Sequence, residues 1–543
     1  MMCLLLMLTS FKGFTQENNL GDEQVDVVKA YQPTLSDAFK ISDIPGRDTT
    51  VIFIPSMKYN IDQIKHPTVY TISPIKAVRI KDDNLKELYR GFIKAGYGTK
   101  NTPYAEIFYN SLRSKDFDAG IHLNHLSSSG KIKGYGFPGM SETGIELYGS
   151  KFLDNHTLKG NVGFDRYVYH YYGYMDPPDI FSKSETKHSF DDIHGKFELI
   201  SNETNKKNLR YSTHVGFHSF SDNKDHTENN LNFGASLAKE INKGELIGDI
   251  ELDFISYDTP LKSNEGRHIF RVNPRYRFDL EPVVLTFGAN IAVEANDKTD
   301  FHIYPFARVD YLVVENTMSL FAELTGDLKR NSFRSVSLEN PFMEGPVAML
   351  NSDNKFNLSG GVNLKLDKQL QVNLSGGLRS IDDDMFYVNL PAEAPTTIVK
   401  YDVGYLNNKQ TFIQAEAIFE QVSKMNLSLL ATFISNSPSG LDKPLFRPNF
   451  RMRLKGNYTI ADKIRVTTEW EYVSQQNALS YDPQNDFISV DGYVDGSLGV
   501  DYLYSKVLTV FLNFNNITAS KYSRWYNYPS YRFMAMAGLT YSF

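Results

Sequence analysis

From Leu88 onward, apolar and polar residues alternate one by one over stretches of about ten or more. In Phe450–Ile460 one face carries Phe450, Met452, Leu454, Gly456, Tyr458 and Ile460, and the other Arg451, Arg453, Lys455, Asn457 and Thr459. The next stretch sets Ile464, Val466, Thr468, Trp470 and Tyr472 against Lys463, Arg465, Thr467, Glu469 and Glu471. A third sets Ile488, Val490, Val494, Leu498, Val500 and Tyr502 against Ser489, Asp491, Tyr493, Asp495, Ser497 and Asp501. Earlier, Leu246, Ile250, Leu252 and Phe254 oppose Glu245, Asp249, Glu251 and Asp253, and Leu370, Val372, Leu374 and Leu378 oppose Gln371, Asn373, Ser375 and Arg379. A period of two predicts strands with one apolar face.

Length and charge decide what the apolar face meets. Strands of soluble sheets are mostly about 5–6 residues long. A strand crossing an apolar band about 25 Å tall at a tilt of roughly 40° needs about 10, which is the length of these stretches. The polar faces are too charged for a small dry core and suit a wide, wet lumen. A one-residue slip of Phe450–Ile460 would push Arg451, Arg453 and Lys455 into lipid, at about 2–4 kcal/mol each near the midplane. At about 20 residues per strand and connection, the stretch from Leu88 to Phe543 predicts an all-β fold, a transmembrane antiparallel up-and-down β-barrel of about 22 strands (20–24). Short turns such as 366–369, 461–463 and 241–244 alternate with long polar loops, as such barrels require.

The rest of the chain is organised differently. Residues 1–15 read as a signal peptide cut before Gln16, although no Lys or Arg precedes the apolar run. Residues 16–87 read as a short N-terminal periplasmic segment or reduced plug, and 88–543 as the barrel. No apolar stretch reaches the 18 residues of a membrane helix. Hydrophobic residues make up 41% of the chain, yet aromatics reach 13%, with 33 Tyr and 37 Phe, a load that fits long strands and interface girdles. The net charge of −7 excludes a nucleic-acid partner held by a basic field. The single cysteine, Cys3, lies in the leader, so neither disulfides nor thiol chemistry is expected of the mature chain.

Candidate chemistry is sparse, and neither an enzyme nor a cofactor is expected. Gly134-x-Gly136-x-x-Gly139 matches a phosphate fingerprint in letters, but it contains Pro138 and opens no helix, so it reads as a surface loop. His122 and His125 have opposite parity, and His214 and His218 stand ~13 Å apart along a strand, so neither pair closes on a zinc ion and no metal is expected. Asp382, Asp383 and Asp384 read as a solvated acidic turn opening a long loop, with calcium as the sharper alternative. Tyr167, Tyr169, Tyr171, Tyr172 and Tyr174 read as an interface girdle, with an aromatic platform for a sugar or peptide as the alternative.

The C-terminal run FNNITASKYSRWYNYPSYRFMAMAGLTYSF resembles the closing hairpin of TonB-dependent outer-membrane receptors: an Asn-Ile segment, Lys-Tyr, a Tyr-Pro loop, an Arg in the last strand and a terminal Phe. Gly538, Leu539, Tyr541 and Phe543 also resemble the signal read by the barrel-assembly machinery. The resemblance covers roughly the last thirty residues in detail and the rest of the barrel in pattern. It implies a 22-stranded outer-membrane importer of a Gram-negative bacterium, closed by a plug and energised through a TonB box. Glu23, Val25, Val27 and Val28 are loosely similar to such a box. The segment before the first strand is shorter than the plug that family carries.

Two function classes follow. One is solute or ligand transport across the outer membrane, with Arg451, Arg453, Lys455, Arg465, Glu469, Glu471, Asp491, Asp495 and Asp501 facing the lumen. The other is a non-transporting barrel serving as scaffold or subunit of an outer-membrane assembly or secretion complex. Expected partners are outer-membrane lipid, the barrel-assembly machinery, and TonB or an outer-membrane partner protein.

Overall fold

The computed structural model describes residues 88–543, apart from 176–179, 203–208, 264, 297, 346–347, 393, 395, 422–423 and 483. The expected signal peptide, the 16–87 segment and the TonB-box residues Glu23, Val25, Val27 and Val28 lie outside the described residues.

Alternation produces what it predicts. Consecutive strands pair antiparallel, in register with their sequence neighbours, from Gly91–Gly98 around to Met534–Ser542. The first and last strands then pair with each other, Phe92 opposite Ser542 through Gly98 opposite Met536. The sheet is thus a closed barrel of 22 strands. The two-residue piece Glu265–Gly266 only extends the pairing of Gly244–Asp258 ahead of His268–Leu280. Closure leaves no unpaired edge, which a bilayer would penalise by several kcal/mol for each bare backbone group.

The apolar faces point outward. Leu246, Ile250, Phe254, Leu374, Leu378, Trp470 and Tyr502 are all exposed on the outer surface, an arrangement that water penalises and lipid does not. Connections at one end are short, from two residues (242–243) to seven (202–208), whereas the other end carries 171–186, 330–351, 390–400, 439–449, 474–492 and 516–533. Strands Leu370–Asn389 and Tyr401–Gln421, at 20 and 21 residues, are twice the length a bilayer needs and raise the wall at the long-loop end.

Two sequence expectations are corrected here. Asp382–Asp384 do not open a loop: strand Leu370–Asn389 runs through them, with a register shift between Ile381 and Asp384 and a left-handed Asp383. They form a β-bulge, whose turn-like composition is what the sequence displays. Asp384 takes a two-pronged contact from Arg447, at 2.6 and 2.8 Å, rather than solvent. Asp491 is also misplaced by strict alternation. The chain leaves the wall after Val473, forms the separate hairpin Gln476–Asp482/Asn485–Val490, and rejoins at Tyr493, so Asp491 is an exposed link residue.

The seam is built by small residues under rings. Gly96 and Gly538 face each other across it, and a Cβ on either would collide with the Phe511 ring. Lys94 Nζ lies 4.8 Å from the same ring. On the outer side the Phe543 ring occupies the space a Cβ on Gly91 would need, and the two residues exchange backbone hydrogen bonds of 2.8 and 2.9 Å.

Candidate functional site: a capped lumen

The long loops fold into the mouth of the barrel and bury a hydrophobic core there. Its members come from wall and loops alike: Phe190, Phe220, Tyr257 and Tyr401 from strands, and Tyr171, Phe333, Phe342, Met343, Trp525 and Tyr528 from connections. Phe342 stacks on Tyr528 at 3.6 Å, Tyr387 and Tyr401 meet Trp525 edge-on, and Phe333 inserts beside Phe220 and Tyr257. Backbone carbonyls buried by this packing find donors. Tyr401 Oη donates to Tyr526 O at 2.7 Å, Tyr172 Oη to Pro529 O at 3.0 Å, and Gln476 Nε2 to Arg524 O at 3.0 Å. Truncating one such buried ring costs about 3–5 kcal/mol.

The tyrosine cluster therefore does not serve as the girdle the sequence suggested. Tyr171 and Tyr174 are fully buried, and Tyr172 packs edge-on against Phe342 and Tyr528. The run continues past the end of strand His156–His170 into the loop, so its rings reach the cap instead of lipid.

A short helix, Phe333–Glu339, anchors the loop 330–351 to the wall. Ser332 caps it by accepting from Ser335 N at 3.1 Å. The Phe333 amide donates to Glu228 Oε2 at 2.6 Å, a carboxylate at the positive end of the helix. Arg334 reaches Asp192 of the wall at 2.6 Å. Arg267, fully buried, holds the two ends of the same loop through Asn331 O and Asn351 Oδ1, both at 3.1 Å. Further along, His188 contacts Pro341 O at 3.0 Å through one ring nitrogen and Asp222 at 3.1 Å through the other. Lys224 donates to Tyr171 Oη at 2.7 Å, and burial together with nearby Lys400 pushes its ammonium from 10.5 down to about 8, against the opposing pull of Asp222 and Glu344.

Beneath the cap the inner wall is polar. Seven consecutive strands line a cavity of about 1040 Å³ that includes Asp253, Arg271, Arg275, Arg308, Glu323 and Arg379. Arg271 and Arg330 both pair with Asp253 at 2.9 Å, and Arg308 pairs with Glu323 at 3.0 Å. Arg275 and Arg379 lie over the Phe306 and Phe412 rings, each at 4.2 Å. Their hydrogen bonds go to the neutral amides of Asn290 and Asn357, while Asp327 lines the same cavity.

The charges expected on the lumen wall are brought together across the strands. Arg453 pairs with Glu471 at 2.9 Å, Lys455 with Glu469 at 3.2 Å, and Arg451 lies 3.9 Å from Glu471. Arg465 stands opposite Asp501 in register. Asp495 accepts from Tyr522 Oη at 2.6 Å. Gly134, Gly136 and Gly139 lie in the loop before strand Met140–Phe152, with no helix following. His122 contacts Glu106 whereas His125 contacts Thr143, on opposite faces as parity required. Phe333, Arg334 and Glu228 were not singled out from the sequence. The first two sit in a loop without periodicity, and their partners are more than one hundred residues away in the chain.

No family model matches the chain, and no characterised protein sequence matches it. Solved structures do. The FrpB iron transporter from Neisseria meningitidis aligns over 84% of this chain and 82% of its own, with a TM-score of 0.65 and 12% identity. The siderophore receptor PirA from Acinetobacter baumannii covers 85% and 81%, with a TM-score of 0.64 and 9% identity. The copper transporter OprC covers 84% and 81%, with a TM-score of 0.61 and 11% identity. The chain therefore shares the fold of these transporters and receptors, a closed 22-stranded β-barrel.

Proposed function

We propose that the chain takes part in moving a polar solute across the outer membrane of a Gram-negative bacterium, with its own long loops as the outer gate. The observation that carries this reading is a hydrophobic cap of loops over a polar lumen in which the hydrogen bonds of Arg275 and Arg379 go to amides. A scaffold needs neither a capped mouth nor arginines hydrogen-bonded to neutral amides along its inner wall, whereas a path for a solute with acidic or hydroxyl groups uses both. The ion-pair ladder of Arg451, Arg453, Lys455, Glu469 and Glu471, with Arg465, Asp495 and Asp501 nearby, forms another part of that wall in this reading. The transporters of like fold support the same class. Under it, the segment holding Glu23, Val25, Val27 and Val28 contacts TonB, and Gly538, Leu539, Tyr541 and Phe543 present the last strand to the barrel-assembly machinery.

Planar-bilayer recording of the full chain tests the gate. We expect no permanently open conductance from the native protein and discrete openings once 333–350 is replaced by a short glycine linker. Large pores that stand open in the native protein would remove the gate from the account. A stoichiometric protein partner in the purified complex, with no conductance in either form, would favour the scaffold reading instead.

A further inference from the structure

The wall below the cap holds a second constellation that the transport reading does not use. Asp165 lies on strand His156–His170, and Asp192 and His194 on its neighbour Lys187–Ser201. Register places Asp165 opposite Asp192 and Gly163 opposite His194. Phe164 and Ile193, between them in sequence, are exposed on the outer surface, so the three polar side chains face inward. One donor atom from each lies within 4.8 Å of the others, the one such mixed group among the described residues.

The spacing is that of ligands around an ion rather than of partners in a hydrogen bond. His194 Nδ1 is 3.7 Å from Asp165 Oδ2 and 3.8 Å from Asp192 Oδ2, beyond hydrogen-bond range. Two donors bound tetrahedrally at 2.0–2.1 Å are separated by roughly 3.4 Å. Asp192 is 0% exposed, and its Oδ1, like His194 Nδ1, is shielded from solvent with no hydrogen-bond partner. Leaving buried polar atoms unpaired is unfavourable, and one cation would satisfy both. Two glycines clear the wall for this grouping. A Cβ on Gly163 would collide with His194 Nε2 and one on Gly144 with Asp165 Oδ1, so His194 lies flat with Nδ1 toward the carboxylates.

We propose that Asp165, Asp192 and His194 bind a divalent transition-metal ion, and that this ion competes with Arg334 for Asp192. One imidazole and two carboxylates suit Zn²⁺, Fe²⁺ or Mn²⁺ better than Ca²⁺, which takes six to eight oxygens. Among the described residues the arginine that Asp192 meets in the capped state is Arg334, through Nε at 2.8 Å and a terminal nitrogen at 2.6 Å, both to Oδ2. A dication beside that carboxylate repels the guanidinium and weakens the hold of helix Phe333–Glu339 on the wall. Metal binding and cap release are then linked, and by reciprocity anything that frees Arg334 tightens metal binding. The site does not depend on whether a solute passes through the barrel.

Calorimetric titration of the full chain, folded in detergent, with ZnCl₂ alone separates the site from adventitious histidine binding. We expect the native barrel to take up one equivalent more than His194→Ala and Asp165→Asn, both of which keep the heat-modifiable mobility of a folded barrel. Arg334→Gln should bind that equivalent about tenfold more tightly. Equal stoichiometry and affinity in native protein, His194→Ala and Asp165→Asn would overturn the site. Unchanged affinity in Arg334→Gln would overturn the competition.

Discussion

Single residues decide whether this barrel closes and how its cap responds to pH. Gly538 sits where the Phe511 ring and the Ala95 carbonyl leave no room for a Cβ, so its value is steric rather than conformational. Gly538→Val should reduce the heat-modifiable fraction in membranes severely, whereas Leu539→Val, on the lipid side, should leave it near native; semi-native electrophoresis reads both. Phe543, singled out from sequence only as an assembly mark, also packs its ring over Gly91. Parity could place it outside but could not show what it covers, because Gly91 begins the first strand, at the far end of the barrel sequence. Lys224 gives a pH signature. Its depressed folded value, about 8 against an ordinary 10.5, means that between those values the unfolded chain keeps a proton the folded cap has shed. Stability therefore rises with pH across that window, after carrying the full penalty of the buried charge below about 8. Thermal unfolding of native protein minus Lys224→Met, from pH 7.5 to 10.5, should show that rise; a flat difference would contradict it.

At the scale of elements, the strands were legible and the connections were not. Alternation reproduces the observed strand Phe450–Ile460 to the residue, and the stretch Lys463–Tyr472 matches the observed Ile464–Val473 to within one residue at each end, because one face must meet lipid and register is fixed by that alone. The same rule failed at Ile488–Tyr502. There a hairpin interrupts the wall, and apolar Ile488 and Val490 alternate for the cap, not for lipid. It failed again at Asp382–Asp384, where a bulge uses the residues that a turn would use. The helix Phe333–Glu339 has too few residues for a period to show. Its apolar positions are satisfied by rings from strands far away in sequence. The Asp165, Asp192 and His194 group was half visible: Asp192 and His194 share parity in one strand, but pairing with Asp165 needs the register of two strands joined by a sixteen-residue loop (171–186).

The whole molecule joins two solvents with opposite demands. Lipid fixes an outer surface of exposed Leu, Ile, Phe and Tyr, water fixes a charged inner wall, and closure satisfies every strand edge. The apolar core that a soluble protein would place at its centre is moved to one end, where the loops use it to close the mouth. This arrangement explains why the average composition looks soluble while the fold is a membrane barrel. On the proposed gate the cap is separable from the barrel: loosening the loops should leave the 22-strand ladder unaltered and let solvent reach Arg275 and Arg379 without unfolding.

That separation can be read directly, because the chain's one cysteine, Cys3, precedes the barrel and single cysteines can be introduced on a clean background. Arg379→Cys reports the inner wall, and Leu261→Cys, at 81% exposure in a loop of the long-loop end, reports the outer surface. On intact cells treated with a membrane-impermeant maleimide, we expect rapid labelling at 261, slow labelling at 379, and rapid labelling at 379 once Phe333→Ala removes about 3–5 kcal/mol from the cap. Position 379 labelling as fast as 261 in the otherwise native protein would contradict a lumen sealed by its own loops.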